Sequence, residues 1–107
     1  MARGANQFGN LMKQAQEMQK KMAQVQDDLA NRVVEGSAGG GMVTAQVNGK
    51  MKLVALKIDP EVVDPDDVEM LEDLIIAAVS QASKKAEELA QEEMSKVTGG
   101  LAMPGMF

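Results

Sequence analysis

The chain has 107 residues, a net charge of −5 and a pI near 4.6, and it contains neither cysteine nor histidine. This excludes disulfides, thiolate chemistry, zinc sites built on Cys or His and the commonest general base. No apolar run approaches the ~18 residues of a membrane span, and "MARGANQFGN" lacks the apolar core of a secretory signal. A soluble cytoplasmic protein without membrane contact, metal or cofactor is therefore expected. It forms one domain over residues 1–107, with residues 1–6 and 101–107 as flexible tails.

The charge is unevenly spread. Residues 1–58 carry eight basic and four acidic side chains, whereas residues 59–107 carry three lysines and twelve acids. The overall acidity argues against a generic basic nucleic-acid binder. The asymmetry keeps a local basic surface open, because charges act within a Debye length of ~8 Å.

From Leu11 the apolar residues fall at Leu11, Ala15, Met18, Met22, Val25 and Leu29, in steps of 4, 3, 4, 3 and 4. This is the ~3.5-residue period of a helix with a narrow seam, which packs against another helix. Ten methionines against two phenylalanines suit an adaptable seam of this kind.

Strands follow. Residues 32–38, "RVVEGSA", read as the first, and Gly39, Gly40 and Gly41 as a flexible connection. "MVTAQV" and "KMKLVALKI" flank Asn48-Gly49, the pair that most strongly marks a two-residue hairpin turn. That turn sets Val47 opposite Lys50, Ala45 opposite Lys52 and Val43 opposite Val54. One face then carries Val43, Ala45, Val47, Val54, Leu56 and Ile58; the other carries Met42, Met51, Leu53 and Ala55 among polar residues. A sheet with two partly apolar faces needs cover on both sides.

In "DPEVVDPDD", residues 59–67, Asp64 is the expected N-cap of the last helix, with Pro65 at its first position. A metal site is the alternative use of these acids, but they lack EF-hand spacing. The helix runs from Pro65 to about Thr98 on a stripe of Val68, Leu71, Ile75, Ala78, Ala82, Ala86 and Leu89, and Gly99-Gly100 ends it. At ~1.5 Å per residue it reaches ~50 Å, longer than a small domain is wide. The fold class is therefore α+β, an α-β-β-β-α chain with a small antiparallel sheet as hub and two long helices as arms. Val43, Val47, Leu53, Val54, Leu56 and Ile58 build the hub, across which two chains would cover each other's sheets.

"GNLMKQAQEMQKKM", then "VNG", "IDPEVV" and "EMLEDLIIAAVSQASKKAEE", in that order and spacing, resembles the YbaB/EbfC family of bacterial nucleoid-associated proteins. The resemblance spans Phe8 to the "MPGMF" tail. It implies a tweezer-shaped homodimer that binds double-stranded DNA on the nucleoid, with roles in gene expression and DNA protection. The family's gene neighbourhoods imply recombination or replication proteins as further partners. Its DNA contacts lie on the two long helices. The corresponding candidates are Lys13, Lys20 and Lys21 on the first helix and Lys84 and Lys85 on the last. "MKLVALKI" is more apolar than in relatives with Cys and Arg in this strand, so a DNA role for the sheet rests on Lys50, Lys52 and Lys57 alone.

Lys13 and Lys20 are seven apart, on one helix face and off the seam, where they can neutralise phosphates. The plainer alternative is solvated lysines, with Glu17 four residues from both Lys13 and Lys21 and able to pair with either. Arg3 and Arg32 are the only arginines, so base readout is not expected. A rival class is a non-DNA protein whose Met- and Gln-rich arms clamp a partner protein, favoured by the acidic last helix. An enzyme is not expected: Ser80 and Ser83 have no histidine partner.

Overall fold

A computed structural model describes residues 2–99, and side chains for residues 7–97. The elements are helix α1 (Ala2–Asn31), strands β1 (Val33–Ala38), β2 (Val43–Asn48) and β3 (Leu53–Ile58), a 3₁₀ turn at Pro60–Val62, and helix α2 (Val68–Gly99). This is the expected α-β-β-β-α order, with a three-stranded antiparallel sheet ordered β1-β2-β3. The helix α1 begins upstream of the expected seam. The apolar tail at 101–107 lies outside the described residues.

The core lies on one face of β1 and β2. Val43, Ala45 and Val47 are buried there beneath Ala78, Ala82 and Ala86 of α2. Those alanines recur every four residues, so they form one ridge without side-chain bulk. The ridge lets α2 come so close that a Cβ at Gly36 would overlap Ala82 N and Ala78 O. Gln81 Oε1 accepts a hydrogen bond from Ser37 N at 2.8 Å and holds the same contact from its rim.

The hairpin between β2 and β3 departs from the two-residue expectation. Val43 pairs with Ile58, Ala45 with Leu56, Gln46 with Ala55 and Val47 with Leu53, with a bulge at this last step. The loop runs through Gly49–Lys52, and Met51, not Asn48 or Gly49, takes the positive φ of 67°. Asn48 Oδ1 accepts from Lys50 N and Lys52 N at 2.9 and 3.1 Å, which stabilises the wider turn. A four-residue slip preserves alternation, so Leu56 and Ile58 still share the face of Val43 and Ala45. The bulge brings Leu53 across to that side as well, level with Val47.

The opposite sheet face is more polar than expected. Glu35, Thr44, Gln46 and Lys57 surround Ala55 in a shallow depression, while Met42 packs against the core. α2 covers β1 and β2, and Leu53, Val54 and Leu56 on β3 are left 45%, 46% and 39% exposed.

The start of α2 is also shifted. Asp64 Oδ1 accepts from Asp66 N in a turn ahead of the helix. Asp67 Oδ1 accepts from Met70 N at 3.2 Å and is the actual N-cap. Asp59 Oδ1 accepts from Glu61 N and caps the 3₁₀ turn. Three of the clustered acids thus satisfy backbone donors.

Candidate nucleic-acid interface

The two helices run antiparallel and meet only at their C-terminal ends. Arg32 Nη1 lies 3.6 Å from Glu93 Oε1, and Met18, Lys21 and Val25 face Glu93, Lys96 and Val97 across an open groove. At ~1.5 Å per residue the helices are about 45 and 48 Å long. The molecule measures 78 × 25 × 17 Å, so they overlap by only about 15 Å. Roughly 25 Å of α1, the part before Met18, projects with no second helix among the described residues beside it. On the described part of α1, Leu29 is buried, Met18 and Val25 are half-buried, and every other residue is exposed.

This arm carries the first group of lysines. Lys13 and Lys20 are exposed, and among the described residues neither makes an ion pair within 4 Å. Glu17 leaves both Lys13 and Lys21 unpaired by the same criterion, so the pairing that would have accounted for these lysines is not formed. Lys21 sits one residue round from Lys20 and lines the groove toward the end of α2.

Lys84 and Lys85 lie elsewhere. They sit over the sheet, on the far side of the Arg32–Glu93 contact from the arm. Lys84 is exposed. Lys85 Nζ donates to Glu35 O at 2.9 Å, which ties its ammonium to the edge strand β1. Along the helix axes Lys84 and Lys20 are about 30 Å apart. The five lysines thus form two groups within one chain. Of the sheet lysines, Lys50 and Lys52 are exposed in the hairpin loop and Lys57 on the polar face. The outer end of α2 is acidic, with Glu87, Glu88 and Glu92 exposed and Glu93 shared between Arg32 and Lys96.

The hub residues divide likewise. Val43 and Val47 are buried in the chain's own core, Ile58 packs against it, and Leu53, Val54 and Leu56 remain open. Sequence reasoning missed Gly36 and the role of Asn48. A glycine inside the strand pattern was the available signal for the first. Nothing local signals the second, because its partner is the end of α1.

No helix among the described residues is long and apolar enough to cross a membrane. Residues 4–101 match the YbaB/EbfC DNA-binding family. A nucleoid-associated protein of Clostridium perfringens is 59% identical over 97% of this chain and 93% of its own length. One from Clostridium novyi is 56% identical over 97% and 91%. Among solved structures, an uncharacterized protein of Helicobacter pylori superimposes with a TM-score of 0.77 at 25% identity, covering 85% of this chain and 96% of that one. The heptad arm, the three-stranded hub and the alanine-ridged second helix are thus those of a chain that belongs to the YbaB/EbfC DNA-binding family.

Proposed function

We propose that this chain is a nucleoid-associated protein of the cytoplasm that binds duplex DNA as a homodimer through its helical arms, and that it organises the nucleoid and influences gene expression. The observation that carries the reading is the α1 arm, which presents Lys13 and Lys20 on one outward face with no carboxylate of the described residues in ion-pair range. Two such arms in a dimer offer phosphates a repeated cationic surface, and release of condensed counterions drives binding. Lys21 adds to the arm from its groove side, and Lys84 supplies charge over the hub. The near absence of arginine favours backbone contact and DNA deformability over base readout. The uncovered strand β3, with Leu53, Val54 and Leu56 in one row, is the surface a second copy would cover.

The test is fluorescence anisotropy of a labelled duplex at several salt concentrations, with the dimer checked by light scattering. Binding that weakens linearly in log–log against salt, by about 0.9 per phosphate contacted, supports the reading. A confirmed dimer that binds no duplex at low salt overturns it. A second reading then stands on the acidic outer end of α2, which repels phosphates. The arms would clamp a basic segment of a partner protein of recombination or replication, and charge reversal at Lys13, Lys20 and Lys21 would spare that binding.

A further inference from the structure

The C-terminus of α1 is closed locally only in part: Arg32 N donates to Leu29 O at 3.2 Å and Asn31 Nδ2 to Asp27 O at 3.2 Å. Its last turn holds no basic residue and no glycine, yet the final carbonyls of a helix need partners. The tip of the β2–β3 hairpin, almost twenty residues downstream, adds further donors. Gly49 N donates to Leu29 O at 2.8 Å and to Arg32 O at 2.9 Å. Asn48 Nδ2 donates to Ala30 O at 3.3 Å. Asn48 is 6% exposed and is the one buried polar residue among those described. Leu29, 2% exposed, fills the space beside Gly49, where an added Cβ would come within 2.7 Å of Leu29 Cδ2 and Leu29 O. Beyond this joint, among the described residues, α1 meets the end of α2 across the groove.

We propose that Asn48 and Gly49 are positioning residues: together with Leu29 they form the joint that sets the bearing of the α1 arm, and so decide which phosphates its lysines meet. The consequence for DNA rests on the DNA-binding reading above; the setting of the arm does not. The leverage is large. Lys13 is sixteen residues from Leu29, about 24 Å along the helix, so a 10° tilt at the joint moves it by about 4 Å. A lysine–phosphate ion pair requires N···O within about 4 Å, so a displacement of that size takes the ammonium out of range of the phosphate it met.

Asn48 does two separable jobs, which makes the joint testable. Its Oδ1 holds the hairpin turn through Lys50 N and Lys52 N, while its Nδ2 alone reaches α1. Asn48→Asp keeps the acceptor and removes the donor. Gly49→Ala adds no charge and presses on Leu29. Because the chain has no cysteine, Gln16→Cys and Glu61→Cys accept spin labels at unique exposed sites on arm and hub. Labelled chains are diluted into unlabelled protein so that one arm is read at a time.

Both variants are expected to leave the hub folded, with a lower melting midpoint for Gly49→Ala, and to shift or broaden the arm–hub distance distribution. Gly49→Ala should also bind duplex more weakly. Removing one lysine–phosphate pair reduces affinity roughly eightfold at 0.1 M salt and makes the salt slope shallower by about 0.9. An unchanged distance distribution in folded Asn48→Asp and Gly49→Ala overturns the joint. A shifted distribution with unchanged affinity and slope overturns its role in phosphate selection. If the unmutated protein binds no duplex, the proposed function fails, and the distance measurement still decides whether the joint holds the arm.

Discussion

Gly36→Ala tests the closeness of α2 to the sheet that anchors the whole molecule. A Cβ at this position would overlap backbone atoms Ala82 N and Ala78 O and lie 2.9 Å from Ala82 Cα. None of these is the free end of a side chain that can swing away. Ordinary contact begins near 3.4 Å, so helix and strand must separate by roughly 1 Å, a gap that forfeits a quarter to a half of each contact's dispersion energy. The loss spreads along the ridge, because Ala78, Ala82 and Ala86 all face Val43, Ala45 and Val47. Overpacking of this kind costs about 1–3 kcal/mol, and a backbone obstacle places it at the upper end. The alanine returns roughly 0.5–1 kcal/mol through the unfolded chain, leaving a net loss of about 2–2.5 kcal/mol. Thermal unfolding followed by circular dichroism should show a midpoint about 10–20 °C lower. Gly40→Ala is the control: it has nothing within 4 Å but sits at φ +68°, and it should cost about 1 kcal/mol from strain alone. If Gly36→Ala proves no more harmful than Gly40→Ala, the close approach of α2 does not exist.

Charge reversal at Lys13 and Lys20 together should leave helix content and melting unchanged, since both are exposed and neither is ion-paired among the described residues, while duplex affinity collapses and the salt slope shrinks by about 0.9 for each phosphate no longer neutralised. Leu53→Lys with Leu56→Lys should turn the proposed dimer into a folded monomer by light scattering, because these side chains lie outside the chain's own core. A dimer that survives would move the interface away from β3. Arg32→Ala should cost no more than about 0.5 kcal/mol by urea unfolding, because its pair with Glu93 is wide at 3.6 Å and its side chain is 54% exposed.

Much of the fold was legible in the sequence. The 4-3 spacing from Leu11 to Leu29 specified a long helix with a narrow seam, and the alternation in "MVTAQV" and "KMKLVALKI" specified strands. The resemblance to the YbaB/EbfC family, now shown over residues 4–101, was legible in the order of short motifs. The candidate site was legible as a set of lysines but not as a surface. Nothing in "KK" at 84–85 indicates that Lys85 is tied to Glu35 O while Lys84 is exposed without an ion pair among the described residues.

What the sequence by itself determined, then, is the kind and order of the elements, because periods of 3.5 and 2 and turn residues act over a few neighbours. The tertiary structure decided the register of β3, the true cap of α2 and the ending of α1. Asn48-Gly49 shows why. In isolation the pair promotes a two-residue turn, but here Gly49 N and Asn48 Nδ2 donate to the last carbonyls of a helix that ended almost twenty residues earlier, and the turn widens to Lys52. The added hydrogen bonds to Leu29 O and Ala30 O, beside the buried Leu29 side chain, outweigh a local turn preference, and they exist only once α1 and the hairpin have met.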